Sequence, residues 1–197
     1  MNDYQWDKQL NIDTTGRDAS NADEFHHPYE PTPYAVLERF AESGYIRRSS
    51  KVVDYGCGKG RVSFFMNHML GCNTIGLEYD DKIFGQAVQN REDYFANQQK
   101  GVEFLCKSAE EYVIVDEDCF YFFNPFTVEI LRAVISRIIT SYYENPRQMF
   151  LFFYYPDDEY ISYLMTVDEV SFLDEIDCRD LFKKEDSRER ILVFEVG

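Results

Sequence analysis

The chain has 197 residues, of which 45% are hydrophobic and 17% aromatic, which suffices for one well-buried core and leaves little for a second. With 36 acidic against 20 basic residues the formal net charge is −16, so most of the surface repels phosphate and nucleic acid is disfavoured as a substrate. The polar start, and the lack of any run near the roughly 18 apolar residues of a membrane helix, predict a soluble, cytoplasmic protein without a signal sequence or membrane contact.

Five cysteines are scattered along the chain without any Cys-x-x-Cys pair. An odd number without that spacing does not fit a structural zinc site or a redox pair. We therefore expect no metal site, and free, mostly buried thiols at Cys57, Cys72, Cys106, Cys119 and Cys178.

The first 25 residues are polar, rich in Asn, Asp, Gln, Thr and Ser. Their few apolar anchors are Tyr4, Trp6 and Leu10. This composition predicts a mobile arm over residues 1–25 and a single domain over residues 26–197. Three prolines follow the arm, and Tyr34–Ser43 then has the composition of a helix that Gly44 can end.

Beyond this helix, short β-rich runs alternate with helix-like stretches. The predicted strands are Lys51–Tyr55, Thr74–Tyr79, Val102–Cys106, Cys119–Phe123 and Met149–Tyr154. The predicted helices between them are Arg61–Leu70, Asp81–Gln98 and Val128–Tyr142. Strands that alternate with crossover helices form a mainly parallel sheet covered by helices on both faces, which is a doubly wound α/β architecture.

The end of the chain has a different pattern. Two strand candidates, Glu169–Cys178 and Arg190–Val196, are joined by the charged stretch Lys183–Arg188, which leaves no room for a crossover helix. They are predicted to form an antiparallel pair at one edge of the sheet. The fold class is therefore a mainly parallel, seven-stranded sheet with an antiparallel C-terminal pair.

The most informative segment runs from Val52 to Val62, where an apolar strand enters three alternating glycines and then a helix. Glycine permits positive φ and lets a ligand approach the main chain closely. At the carboxyl end of the first strand of a doubly wound sheet, such a loop lies where these folds bind nucleotides. The alternative is a tight strand-to-helix turn without a ligand.

The spacing of the glycines bears on which nucleotide binds. Dinucleotide sites prefer G-x-G-x-x-G, but Arg61 stands where the third glycine would be. No Lys-Ser/Thr follows the loop, which disfavours a phosphate-binding P-loop.

The order Asp54-x-Gly56-Cys57-Gly58-x-Gly60 resembles motif I of the class I, Rossmann-like S-adenosylmethionine-dependent methyltransferases, small bacterial members in particular. The resemblance extends from Pro28 to Val196. It implies S-adenosyl-L-methionine as the cofactor, bound by Asp54 and by the loop residues Gly56, Cys57, Gly58 and Gly60.

The second and third strands extend the resemblance. Glu78 ends the second strand, where a carboxylate can accept both ribose hydroxyls, and Tyr79 can stack on the adenine. The alternative for Glu78 is a solvated strand-end carboxylate. After the third strand, Ser108 stands where the family usually has an acid for the adenine amino group, so Ser108 and the backbone of Ala109 are candidate adenine contacts. Ser108 can equally be a helix N-cap.

The fourth strand runs into Asn124-Pro125-Phe126, which in the resembled family faces the reacting methyl group. Methyl transfer mainly needs alignment and exclusion of water. An Asn carbonyl can accept an N–H from an amine or amide, while Pro125 sets the turn and Phe126 walls the pocket. The triplet looks like a shortened Asn/Asp-Pro-Pro-Tyr/Phe motif of methyltransferases that act on amino groups. The alternative is a type I turn followed by a helix capped by Thr127.

Two other segments are candidate parts of the site. Tyr29-Glu30-Pro31-Thr32 distantly resembles the Tyr-Gly-Glu-Thr entry of the non-SET histone-lysine methyltransferases, which makes Thr32 a cofactor contact and, with Tyr34, part of a lid. An ordinary proline-rich linker is the alternative. Aromatic and acidic residues in Phe152–Asp158 can line a pocket for a cationic substrate, although aromatic runs are commonly core.

The sequence therefore predicts methyl transfer from S-adenosylmethionine to a small-molecule or protein acceptor, with an amine or amide nitrogen as one candidate. Two alternatives stay open. One is a nicotinamide-dependent oxidoreductase that uses the same loop and Glu78. The other is a non-catalytic S-adenosylmethionine-binding scaffold. The pattern identifies neither the acceptor, nor a general base, nor an oligomeric state.

Overall fold

The computed structural model describes residues 1–18, 25–94 and 100–197. The strands are β1 (Lys51–Tyr55), β2 (Asn73–Glu78), β3 (Val102–Cys106), β4 (Cys119–Phe122), β5 (Met149–Tyr154), β6 (Val170–Asp177) and β7 (Arg190–Val196). The α-helices are α1 (Asp3–Leu10), α2 (Tyr34–Glu42), α3 (Arg61–Leu70), α4 (Asp81–Asp93), α5 (Val128–Glu144) and α6 (Asp158–Leu164). Within the described ranges, no helix is both long and apolar enough to cross a membrane.

All seven strands belong to one sheet in the order β3-β2-β1-β4-β5-β7-β6. β1 lies at the centre, where Val53 pairs in parallel with Ile75 of β2 and with Phe120 of β4. β7 runs antiparallel to both β5 and β6. This arrangement confirms the predicted fold class. The connection between β6 and β7 is too short for the crossover that parallel neighbours need, so these two strands are antiparallel.

Helices cover both faces of the sheet and form two core layers. Successive strand residues face opposite sides, so Val52 belongs to the layer under α2 and α3, while Val53 belongs to the layer under α5 and α6. Aromatic side chains dominate both layers. Tyr121 and Phe152 are fully buried on the first face, and Phe120 is fully buried on the second.

The structure contains a helix that the sequence did not predict, α1 in the N-terminal arm. It begins with a capping box in which the backbone N–H of Gln5 donates to Asn2 Oδ1 (2.9 Å) and that of Asn2 donates to Gln5 Oε1 (3.0 Å). Of the predicted anchors, Trp6 and Leu10 are buried and Tyr4 is exposed. Residues 19–24 of the arm lie outside the described residues, and its mobility stays a prediction.

A buried arginine joins the arm to the domain. Arg61, in the first turn of α3, is 2% exposed. Its Nε donates to Thr14 Oγ1 (2.7 Å) and its Nη1 to Asp3 Oδ2 (2.7 Å). A buried guanidinium needs such partners. The residue that departs from the dinucleotide pattern therefore holds the N-terminal segment against α3.

The remaining differences are shifts in the ends of helices and strands and one further helix that was not predicted. α4 ends at Asp93, whereas the prediction continued to Gln98, and residues 95–98 lie outside the described part. α5 extends two residues beyond its predicted end, to Glu144. α6 was not predicted, because seven residues show too little periodicity. All five cysteines are free, and four of them are buried.

Candidate functional site

A cavity of about 510 Å³ lies at the carboxyl edge of the parallel strands. Its size is in the range of small-molecule sites, roughly 300–1,000 Å³. The predicted site residues that line it are Thr32, Asp54, Gly56, Cys57, Glu78, Tyr79, Ala109, Asn124, Pro125 and Phe126. Three other predicted residues, Gly58, Gly60 and Ser108, are not among its lining residues. The structure thus brings ten of the thirteen predicted site residues, from five segments, to the lining of one cavity.

The glycine loop is shaped as much by packing as by access for a ligand. Gly58 has φ 55°, and a Cβ there would lie 2.1 Å from the ring of Tyr29. Gly60 has φ 91°, and a Cβ there would lie 2.4 Å from Phe104. Both positions need glycine because the protein's own aromatic rings pack against them. Gly56, which lines the cavity, is also constrained by packing, since a Cβ there would lie 2.4 Å from Cβ of Pro125. Close approach of a ligand to Gly56 remains a prediction.

Glu78 connects the second strand to the glycine loop. Its side chain is buried, and Oε2 accepts a hydrogen bond from the backbone N–H of Gly58 while Oε1 accepts one from that of Asp80, each at 3.0 Å. Burial raises the pKa of this carboxyl, and the two backbone donors oppose that effect. A carboxylate has about four acceptor positions, so Glu78 can hold the loop and still accept hydroxyl groups.

Asp54 places a second carboxyl in the cavity, at the end of β1. Burial is the main cause that raises its pKa to about 7; the hydrogen bond from Ser63 Oγ (3.4 Å) lowers the pKa, and the charge of Glu78 adds to the rise. Two buried carboxyls on adjacent strands favour a ligand with a positive charge or with hydroxyl groups.

The adenine candidates lie near the ends of β2 and β3. Ser108 stands at the N-cap position of a 3₁₀ turn (Ala109–Glu111), but its side chain makes no capping hydrogen bond. Ala109 and Lys107 line the cavity. The ring of His26 stacks on that of Tyr79, with centroids 3.8 Å apart and planes at 19°. The sequence around His26 gives no indication of this contact.

Residues 26–33 form one wall of the cavity. The backbone N–H of His27 donates to the carbonyl of Pro125 (3.2 Å), and that of Thr127 donates to the carbonyl of Phe25 (2.9 Å). The hydroxyl of Thr32 is 2.9 Å from that of Tyr121. Tyr34, the other predicted lid residue, is fully buried in the core and does not line the cavity. Its hydroxyl donates to Asp7 (2.6 Å).

Asn124 connects the ends of β4 and β5. Its Nδ2 donates to the carbonyl of Tyr155 (2.6 Å), and its Oδ1 accepts the backbone N–H of Asp157 (3.3 Å). Asn124 and Tyr155 both have positive φ, 39° and 49°. Such conformations are uncommon outside glycine and occur often at functional sites. Thr127 precedes α5 at the N-cap position, but its side chain makes no capping hydrogen bond.

The far end of the cavity is aromatic and acidic. Phe123, Tyr154, Tyr155 and Asp157 line it, together with Glu189 from the segment before β7. The Tyr154 hydroxyl donates to Glu189 Oε2 (2.6 Å). From the predicted run Phe152–Asp158, the side chains of Phe152 and Phe153 are instead buried in the core, and Asp158 begins α6.

Sequence reasoning missed Glu189, Phe123, Phe182 and Glu30 as lining residues. The signal for Glu189 was its place immediately before a strand of the terminal antiparallel pair. That signal becomes useful only when the pair is known to lie next to β5.

Three solved methyltransferases share the fold of this chain. The human methyltransferase 10 domain containing protein is 16% identical, covers 98% of this chain and 91% of its own, and superposes with a TM-score of 0.62. Magnesium protoporphyrin IX methyltransferase from Synechocystis PCC 6803, with bound SAH, is 16% identical over 83% of this chain and 81% of its own, with a TM-score of 0.60. The chain has the Rossmann-like fold of class I methyltransferases. An RNA methyltransferase from Salinibacter ruber, in complex with S-adenosyl-L-homocysteine, shares this methyltransferase fold at 17% identity over 85% of this chain and 94% of its own, with a TM-score of 0.54.

Comparison of sequences finds a shorter match. A protein-lysine N-methyltransferase of Saccharolobus islandicus (strain REY15A) is 32% identical over 68 residues, which are 34% of this chain and 42% of the relative. No protein-family model matches the sequence. The solved neighbours described above are methyltransferases, so the comparisons do not favour the alternative of a nicotinamide-dependent oxidoreductase.

Proposed function

We propose that this chain transfers a methyl group from S-adenosylmethionine to the amine nitrogen of a lysine side chain in a protein. One observation carries the proposal. The glycine loop and two buried carboxyls, Asp54 and Glu78, lie at one end of a single cavity. The other end of the same cavity is aromatic and acidic and lies beside Asn124. The first part suits a sulfonium nucleoside, and the second suits a cationic acceptor.

The cofactor end fits the chemistry of S-adenosylmethionine. Glu78 keeps acceptor capacity for ribose hydroxyls, and Asp54 can hold the ammonium of the amino-acid end. The ring of Tyr79 and the backbone of Ala109 offer an adenine site. When bound, the cofactor supplies a methyl group on a positively charged sulfur, which needs no further activation by the protein.

The acceptor end must bind an amine, orient its lone pair and exclude water. Asn124 Oδ1 has one long hydrogen bond, to Asp157, and retains capacity for an N–H of the acceptor. Phe126 is 3% exposed and closes the wall beside it. Tyr160 holds this segment by donating its hydroxyl hydrogen to the carbonyl of Phe126 (2.5 Å).

Charge supports a basic protein segment as the acceptor. The net charge of −16 attracts lysine-rich segments and repels the phosphates of RNA. The matched relative carries the name of a protein-lysine N-methyltransferase, which agrees with this choice. The RNA methyltransferase from Salinibacter ruber resembles this chain in fold. The negative charge of this chain nevertheless favours a basic protein segment over RNA as its substrate.

Calorimetry and label transfer test the proposal. The full chain should bind S-adenosylhomocysteine with micromolar affinity and bind neither NAD nor NADP. With S-adenosylmethionine labelled on its methyl group, it should label a pool of lysine-containing peptides, and label should disappear in a matched pool with arginine at every lysine. No heat with S-adenosylhomocysteine, or equal labelling of both pools, would overturn it.

A further inference from the structure

The segment between β6 and β7 brings a carboxylate to the reaction edge of the sheet. β7 runs antiparallel to β5, with Tyr154 opposite Ile191, so the residues before β7 lie beside the carboxyl end of β5. The backbone N–H of Tyr155 donates to the carbonyl of Arg190 (3.0 Å), which fixes this register. Glu189 therefore lies two strands from β4, about 10 Å by ordinary strand spacing.

Glu189 differs from the other carboxylates at this end of the cavity in its charge partners. Glu30 pairs with Arg17 (3.8 Å), and Asp157 pairs with Arg188 (3.7 Å). Among the ion pairs of the described ranges, none includes Glu189. A partly buried carboxylate that shares no ion pair within the described ranges keeps part of its desolvation cost, and a bound cation relieves that cost.

Partial burial also shows in the acidity of this group. Desolvation raises the pKa of Glu189, the Tyr154 hydroxyl lowers it, and the neighbouring charges of Asp186 and Glu30 raise it while that of Arg188 lowers it. The carboxylate is therefore poised to gain from an added positive charge.

Aromatic rings complete the surroundings of Glu189. The Phe123 ring lies 4.7 Å from that of Tyr154 and 6.3 Å from that of Tyr155, between ring centroids. Aromatic faces attract ammonium groups. The hydroxyl of Tyr154 donates to Glu189 and keeps its lone pairs for an N–H donor. The Tyr155 ring already carries the guanidinium of Arg188, 4.2 Å from its centroid, so this corner accommodates cations.

We propose that Glu189, together with the hydroxyl of Tyr154, binds the ammonium group of the acceptor in the aromatic end of the cavity. This inference rests on the proposed function and adds its acceptor-binding residue. Glu189 selects amines that arrive protonated. The bound ammonium then loses one proton to water, and the neutral nitrogen turns to Asn124 Oδ1, where its lone pair forms the bond to the methyl carbon as the bond from that carbon to sulfur breaks. Glu189 and Asn124 thereby give the site its preference for lysine over neutral nucleophiles.

The test compares Glu189→Gln with Glu195→Gln. Glu195 lies near the other end of β7, about 20 Å away by strand rise, where it accepts a hydrogen bond from Gln148. Both substitutions remove one charge at nearly constant volume. The substrate is the synthetic lysine peptide that the wild-type chain labels most strongly in the pool described above. Glu189→Gln should raise the KM for this peptide about 30- to 100-fold and change kcat less than about threefold, as expected for lost ground-state binding of a charge.

Further readouts separate binding from a merely structural role. S-adenosylhomocysteine affinity and melting temperature should match the wild type in both variants, and Tyr154→Phe should raise the KM about fivefold. Glu189→Asp, which keeps the charge, should recover part of the loss. A KM unchanged in Glu189→Gln, or raised equally in Glu195→Gln, overturns the inference. Loss of cofactor affinity in Glu189→Gln overturns it as well, because the residue would then support the fold. If the wild-type chain labels no lysine peptide, the proposed function itself fails.

Discussion

The two ends of the cavity are built in different ways. At the cofactor end, side chain and loop are close in the chain: Glu78 and Gly58 are 20 residues apart, and the contact between them uses backbone N–H groups. At the acceptor end, Asn124 contacts a residue 31 positions away, and Tyr154 contacts one 35 positions away, through side chains. The cofactor end therefore depends on a local motif with little freedom, and the acceptor end on the packing of three separate segments.

This difference has a chemical consequence. A single cofactor imposes the same demands on every enzyme that binds it, and backbone groups in a glycine loop meet them with few side chains. Acceptors vary, and side chains from separate loops can change independently of the sheet that supports them. Changes at the first end should therefore affect binding of the cofactor, and changes at the second should affect turnover or acceptor binding.

The strongest test of this comparison is Glu78→Ala. It leaves the N–H groups of Gly58 and Asp80 without an acceptor inside the protein and removes the proposed ribose contact. We expect affinity for S-adenosylhomocysteine to fall about 100-fold or more, with a lower melting temperature, because each lost hydrogen bond to a charge is worth about 1.5–3 kcal/mol. Calorimetry and thermal unfolding measure both. Wild-type affinity in this variant would show that cofactor binding depends neither on the hydrogen bond between Glu78 and the loop nor on the proposed ribose contact.

Asn124→Ala probes the acceptor end. It removes the hydrogen bond from the Asn124 side chain to the carbonyl of Tyr155, and it removes the proposed acceptor for an N–H of the substrate. We therefore expect kcat to fall about 100-fold while affinity for S-adenosylhomocysteine changes less than about threefold. Asn11→Ala is the control for backbone strain, since Asn11 also has positive φ (55°) and does not line the cavity. Equal loss in both variants would attribute the effect to strain alone. Loss of cofactor affinity in Asn124→Ala would show that the acceptor end also contributes to cofactor binding, contrary to the separation of roles proposed above.

A pH series sharpens the description of the cofactor end. Burial raises the pKa of Asp54 to about 7, far above the value of about 3.9 expected in the unfolded chain. The folded state thus holds this proton more tightly, so folding weakens as pH rises from about 4 to about 7, by at most about 1.4 kcal/mol per pH unit, and no further above that window.

The measurement is urea unfolding of the wild type and of Asp54→Asn, which has no proton to lose at this position. The free energy of unfolding of the wild type should decline relative to the variant across the window and run parallel to it above about pH 7.5. Asp116→Asn, on an exposed carboxyl, is the control. A constant difference between wild type and Asp54→Asn at every pH would mean that Asp54 is not the titrating group.

The smallest expected effect concerns His26. Its ring covers one face of Tyr79, whose ring is a proposed adenine contact, and stacking of this kind is worth about 0.5–1.5 kcal/mol. We expect His26→Ala to bind S-adenosylhomocysteine about threefold to tenfold more tightly, since the ring no longer competes. His68→Ala is the matched control, on a residue that contacts Trp6 and does not line the cavity. Weaker binding in His26→Ala would show that the ring contacts the cofactor and does not compete with it.

Sequence pattern alone predicted how strands and helices alternate along the chain, the parallel sheet with its antiparallel end, and the positions of the glycine loop and Glu78. These follow from local periodicity and from rules of connection that hold for any chain. It missed α1 and α6, whose stability comes from burying Trp6, Leu10, Tyr160 and Leu164 in the core and not from their own short patterns.

The side-chain contacts between distant segments became known only from the three-dimensional packing. It assigned Gly58 and Gly60 to the packing of Tyr29 and Phe104, stacked His26 on Tyr79, and placed Glu189 beside Tyr154. Each contact joins residues that are far apart in the chain, or depends on the strand order around β5 and β7, which a one-dimensional pattern does not encode. The glycine motif could be recognised in the sequence because its residues are neighbours in the chain, whereas the residues of the acceptor site come from separate segments that converge only in the folded protein.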